Sequence, residues 1–251
     1  MVKLQAHPCP IELTPELQAS LTAEYLADTS KRVWNKTFIK QALMVMSHGK
    51  CCYCECKIGE ESKYLEVEHF QPKSIYLDQV MAWSNLLPAC KRCNGTKGNH
   101  DTLAFPIVHP VNDQPSEHLL FRAGWFKEKT TLGAMTLKVV DLNNLSQKMV
   151  EKRYEIGQLI AEQLDKLEDM AIDYQSGLNN SNSRREKLIH WLKSILISAQ
   201  PQHEYAAAAA TFLLNEPLFL KVKTIFHTCH LWDDELARLE AGAKAISLDL
   251  F

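Results

Sequence analysis

The chain has 251 residues, 46% of them apolar and 23% charged, a composition that excludes collagen-like, disordered and coiled-coil proteins. Nine glycines fall short of the usual ~7% and argue against an all-β chain full of tight turns. The 28 lysines and arginines against 30 acids give a net charge of −2, so the protein is no polycation and any basic surface must be local.

The N-terminus, Met1-Val2-Lys3-Leu4-Gln5, has no apolar core of a signal peptide. His7-Pro8-Cys9-Pro10 reads as extended chain or turn. Thr14-Pro15-Glu16-Leu17 has the form of an N-cap and a first-turn proline, predicting a helix to about Ala27. Asp28 or Ser30 would cap a second helix through about Ser47, where an apolar stripe including Val33, Trp34, Phe38 and Val45 runs up to Gly49. Residues 106–141 look irregular, with apolar stretches such as Met135–Val140 that could be strands. From Asn143 the pattern is helical. Asn143–Gln175 carries Leu145, Met149, Ile156, Leu159, Ile160, Leu164 and Leu167 at helical spacing. Ser183-Arg184-Arg185-Glu186 is a capping box for a helix to about Ala199. Pro201 would open another carrying Tyr205–Leu214, and Pro217 and Asp233 two more. The run Tyr205–Leu214 is too short to span a bilayer, which takes ~20 residues. A cytoplasmic protein without a membrane role is expected.

Six of the eight cysteines fall between Cys51 and Cys93, a clustering that in a cytosolic chain points to metal ligands. Cys51/Cys54 and Cys90/Cys93 are C-x-x-C pairs, each a knuckle able to aim two sulfurs at one ion. Together they predict a four-thiolate structural Zn²⁺ site with no open position for chemistry. Cys52 and Cys56 compete with poorer spacing, and Cys9 and Cys229 stand apart.

Between the knuckles, alternation at Leu65, Val67 and His69 predicts a strand ending at Pro72, with Glu68 and His69 on opposite faces. Trp83-Ser84-Asn85 precedes the second knuckle, and Cys93-Asn94-Gly95-Thr96-Lys97 follows from it.

Acid–His, then Asn, then C-x-x-C-Asn-x-x-Lys is similar to the HNH nuclease motif. The strings CCYCE, VEHFQPKS, WSNLLPACKRCNGTKGN and DLNNLSQKMVEKR resemble the HNH endonucleases of Septu and retron-associated anti-phage systems. The resemblance covers about residues 48–155 closely and the remainder loosely. It implies an α+β, mostly α fold, in which a small zinc-clipped ββα-metal (HNH) module (48–142) lies between N-terminal helices (1–47) and a C-terminal helical bundle (143–251). It implies metal-dependent phosphodiester hydrolysis with Mg²⁺ or Mn²⁺, in phage defence beside an ABC-type ATPase (PtuA-like). DNA is the default substrate, and RNA such as tRNA is the alternative.

By the resemblance, His69 matches the general base and Asn85 the amide whose carbonyl orients it. Glu68 and Asn94 match the ligands of the catalytic ion. Asn94 stands where the motif usually has His, an uncharged oxygen suited to Mg²⁺; His100 is a rival. Lys91, Arg92 and Lys97, with Lys73, form a basic patch for phosphate. Residues 143–251, without any comparable ligand cluster, would dock the ATPase. Two rival classes stand beside this reading: a non-catalytic zinc module that binds nucleic acid or a partner, and a redox thiol protein.

Overall fold

The computed structural model describes residues 1–59, 64–146 and 148–251. Two compact units divide the chain. The first comprises Met1–His118 and Glu128–Leu142, the second Leu119–Lys127 and Asn143–Phe251.

In the first unit, α1 (Pro15–Ala27) begins as the sequence predicts, with Thr14 Oγ1 accepting from Leu17 N and Pro15 in the first turn. The second helix is shorter than expected. Residues 28–36 form turns, with Asp28 accepting from both N and Oγ of Ser30, and α2 is Thr37–Met46. Val33 and Ile39 anchor this stretch in the core. Strands β1 (Leu65–His69) and β2 (Leu86–Cys90) pair antiparallel, His69 opposite Leu86 and Leu65 opposite Cys90. The chain passes from β2 directly into α3 (Lys91–Lys97), whose N-cap is Cys90. This is a ββα hairpin-and-helix unit. Met135–Val140, expected as a possible strand, lies instead in α4 (Thr131–Val140), which packs against α3. Thr130 Oγ1 accepts from Gly133 N, and that cap starts a helix that the apolar run alone does not announce.

The second unit is a helical bundle: α5 (Met149–Gln175), α6 (Asn182–Ser198), α7 (Ala206–Asn215), α8 (Pro217–Thr228) and α9 (Asp234–Ile246). The helix expected from Asn143 starts at Met149, and Gln147 within that span lies outside the described residues. The predicted capping box gives way to Ser181, whose Oγ accepts from Arg184 N. Pro201 opens only turns, and α7 follows Tyr205, whose φ is +51°. Asp233 caps α9 as its sequence suggests. Helix α7 is the centre of the bundle. Ala206–Ala210 are all buried, and only side chains this small let α5, α8 and α9 approach its axis. Gly157 of α5 is small for the same reason, since a Cβ there would stand 2.4 Å from the Phe212 ring.

A small sheet belongs to this unit and left no clear trace in the sequence. β3 (Leu119–Arg122) lies between β4 (Trp125–Glu128) and the two-residue β5 (Asp249–Leu250), parallel to the latter. Ala123 and Gly124, with φ of +48° and +87°, make the hairpin turn. Arg153 holds it to α5. Its Nε donates to Gly124 O at 2.8 Å and its guanidinium stacks on Phe126, whose backbone N–H and C=O pair with the Asn143 amide. The chain is thus α+β and mostly α. No helix of the described residues is long and apolar enough to cross a membrane.

Candidate active site and metal centre

The two knuckles meet at the start of α3. Cys51, Cys54, Cys90 and Cys93 are buried, and their sulfurs all lie within 4.8 Å of one another. The sequence sets this up locally. Glu55 N donates to Cys51 O and Cys51 N to Cys56 O, closing the first knuckle, while Cys52 N donates to Pro88 O and ties it to β2. The second knuckle is the N-cap of α3 itself, Cys93 N donating to Cys90 Sγ.

The donor set fits zinc. Thiolates ~2.3 Å from a tetrahedral ion stand ~3.8 Å apart, and Cys54 Sγ and Cys90 Sγ are 3.8 Å apart. Hydrogen bonding among the thiols holds Cys54 and Cys90 low, while burial pushes Cys51 and Cys93 up. A cation bound among them keeps all four deprotonated. Arg92 Nη2 lies 2.8 Å from Cys93 Sγ, and its Nη1 donates to the Val140 and Asp141 carbonyls. Arg92, expected to hold phosphate, is instead committed to the thiolate cluster and to the end of α4.

One face of the ββα unit opens on a cleft of about 490 Å³. His69, Glu68 and Asn94 line it, together with Glu66, which the sequence reading missed. His69 is nearly buried. Its Nε2 lies 3.0 Å from Val80 O, and its ring meets the Trp34 ring edge-on at 4.7 Å. A carbonyl only accepts, so Nε2 carries the proton and Nδ1 has a free lone pair. Burial, reinforced by Lys73, pushes the imidazole down to about 3 and keeps it neutral.

Glu68 points the other way. Its Oε1 is 2.6 Å from Lys97 Nζ and accepts from Tyr53 OH. Burial lifts the carboxyl to about 6, against the lowering pull of Lys97. Lys97 Nζ also donates to His69 O at 2.9 Å and is itself buried. It stitches α3 to β1 and is no phosphate ligand, which corrects the expectation for that residue. Glu66, two residues before Glu68, shares its strand face and accepts from Asn94 Nδ2 at 2.6 Å. That period-two relation is the signal that would have found it.

Asn85 also differs from expectation, for its amide makes no hydrogen bond to the imidazole. Its Oδ1 accepts from Gln71 N, and its Nδ2 donates to the carbonyls of Gln71 and Gln79. It clamps the two loops that flank His69. One of these places Val80 O, so Asn85 positions the ring at one remove. Nothing in a side-chain sequence announces a backbone carbonyl in that role. His100 Nε2 lies 2.7 Å from Phe105 O, and the ring does not line the cleft. Lys91 is exposed on α3 and away from the cleft, whereas Lys73 lines it. The bases and acids are thus brought together, and most of the predicted basic patch is not.

A hairpin and helix clipped by four cysteines, with a neutral histidine on the strand and an asparagine on the helix, define an HNH endonuclease. The HNH endonuclease family matches residues 51–100. Over the whole chain the likeness is narrower. The Septu protein PtuB of Bacillus thuringiensis is 41% identical, covering 97% of this chain and 94% of that protein. The Septu protein PtuB of Bacillus mycoides (strain KBAB4) is 30% identical, covering 62% of this chain and 67% of that protein. The chain belongs to the PtuB family of Septu anti-phage defence nucleases.

Proposed function

We propose that this protein cuts nucleic acid as the effector of its defence system, with His69 as general base and one divalent ion in the cleft. DNA is the default substrate, and structured RNA such as tRNA is the alternative. The observation that supports this reading most is the setting of His69, with Nε2–H committed to Val80 O and Nδ1 left to accept a proton. A water placed at Nδ1 loses its proton there as its oxygen attacks phosphorus and the opposite P–O bond breaks. Asn94, with the β1 carboxylates Glu66 and Glu68, offers the hard oxygens that suit Mg²⁺ or Mn²⁺. Such an ion, when bound, offsets the charge of the phosphodiester and of the departing oxygen. Zn²⁺ at Cys51, Cys54, Cys90 and Cys93 is structural in this reading, since all its positions are filled.

We further propose that the protein works in the cytoplasm with an ABC-type ATPase, and that residues 143–251 dock it. The helical unit carries no His/Cys/Asp/Glu cluster of metal-binding geometry among the described residues. A stable interface there would take ~800 Å² from each partner.

Nicking of supercoiled plasmid tests the central claim. Cleavage is expected with Mg²⁺ or Mn²⁺, is abolished on chelation, and falls ~10²–10⁴-fold in His69→Ala. Near-parent cutting by that variant would leave His69 a structural residue.

A further inference from the structure

The family match begins at residue 51, but the cleft does not. One of its walls is the turn between α1 and α2 and the first turn of α2, residues 29–40, which bring Arg32, Trp34 and Lys40 beside His69 and Asn94. We propose that Arg32 and Lys40, together with Lys73, grip the nucleic-acid backbone on either side of the scissile phosphate. The proposal rests on the nuclease reading above and deepens it by naming where the strand is held.

Three observations carry it. The first is availability. The cations of α3 that seemed suited to phosphate are spent, Arg92 on Cys93 and Lys97 on Glu68. Arg32, Lys40 and Lys73 make no ion pair among the described residues, yet all three line the cleft. Exposed Arg32 and half-buried Lys40 and Lys73, facing a general base, have a natural counter-charge in phosphates. The second is fixed placement. Lys73 Nζ lies over the Trp34 ring at 5.1 Å, and the same ring meets His69 edge-on. Trp34 therefore seats a cation and the base side by side, as the two sides of one phosphate require. The third is local order. Asp28 ties the turn through Ser30, and buried Val33 pins it between Arg32 and Trp34, which are left facing the cleft. The segment is built to present these side chains, not to span a gap.

The test uses the full-length protein. Binding of a fluorescent DNA duplex and of an RNA hairpin is measured over a salt series with divalent ion withheld. The variants are Arg32→Ala, Lys40→Ala and the double substitution, with Lys187→Ala on α6 as control. Each lost phosphate contact should flatten the log K against log salt slope by about 0.7–0.9 and weaken binding at every sequence alike. With Mg²⁺ present, KM should rise several-fold while kcat at saturation holds. The probe that responds identifies the strand chemistry. Should Lys40→Ala melt early, Lys40→Gln keeps most of the half-buried stem and removes the charge. A double variant with parental affinity, slope and KM overturns the grip but not the nuclease. A parent that binds and cuts neither probe overturns both.

Discussion

An imidazole in water is half protonated near pH 6.5; His69, enclosed by Trp34 and the Val80 carbonyl, is not. The unfolded chain therefore binds a proton at this residue, between pH 6.5 and about 3, that the folded chain refuses. The stability tied to the neutral ring is complete above 6.5 and is lost as the pH falls toward 3, a difference of roughly 4–5 kcal/mol. Glu68 runs the other way. Lifted from 4.5 to about 6, it favours the folded state below 4.5 and loses that contribution as the pH rises through 6. The two cancel between 4.5 and 6, so the acid loss at these residues should appear only below about pH 4.5. In His69→Ala only the Glu68 contribution is left. Between pH 6 and 4.5 the stability difference, variant minus parent, should shift in favour of the variant as the solution is acidified. Urea titrations across this range check it, and parallel curves would show that the ring is protonated in the native state.

Strand β1 shows how far alternation carries a reading. Period two assigned Glu68 and His69 to opposite faces; their partners differ, Lys97 and Tyr53 for one and Val80 and Trp34 for the other, yet both line the cleft, and burial decides what each carboxylate does. Glu68 and Lys97 form a buried pair, so Glu68→Ala leaves an ammonium uncompensated and should cost ~3–5 kcal/mol in denaturant unfolding. Glu66 is half-buried and, among the described residues, hydrogen-bonds the Asn94 amide, so Glu66→Ala should lower Mn²⁺ affinity and cleavage while stability moves by no more than ~1 kcal/mol. If Glu68→Ala unfolds no more easily than Glu66→Ala, the pair does not hold β1 to α3. Caps were equally unequal guides. Thr14 and Asp233 could be read directly because their partners lie three residues on. Met135–Val140 could not, since a six-residue stretch with four apolar side chains fits a strand as well as a buried helix and the deciding cap, Thr130, lies outside it. At the β3–β4 hairpin, Gly124 has φ +87° and a Cβ would stand 2.4 Å from Val150 O. Gly124→Ala should therefore destabilise by more than the ~1 kcal/mol of an ordinary glycine-to-alanine change, read as a lowered melting temperature.

Across the whole molecule, the chemistry was legible where ligands sit close in sequence, as in the C-x-x-C knuckles and the Glu68-His69 pair. It was not where tertiary structure supplies the partner. The Val80 carbonyl, the cleft wall at residues 29–40 and the burial of Lys97 each depend on segments brought together from afar, and no spacing rule encodes them. The helical unit was legible as helices, and its surface was not legible as anything more. Docking of the ATPase there predicts slowed amide exchange on peptides within 143–251 when the full-length protein is mixed with its partner. Protection confined to residues 1–142 would put the interface on the nuclease unit instead.

Cys90 caps α3, Cys93 is its third residue, and Asn94 is the next along the chain. An ion among the thiolates and an ion in the cleft would therefore be neighbours through a single peptide unit. They should still leave the protein on different clocks. A Mg²⁺ held by an amide and carboxylates exchanges freely, so a brief chelator pulse should silence the enzyme and fresh Mg²⁺ restore it at once. Zinc held by four buried sulfurs would escape only when the knuckles open, and its loss should unwind the start of α3 and carry Asn94 away with it. Long chelation, or Cys90→Ser, should then give an inactivation that Mg²⁺ alone cannot reverse, with release of one zinc per chain measured by a colorimetric chelator in step with it.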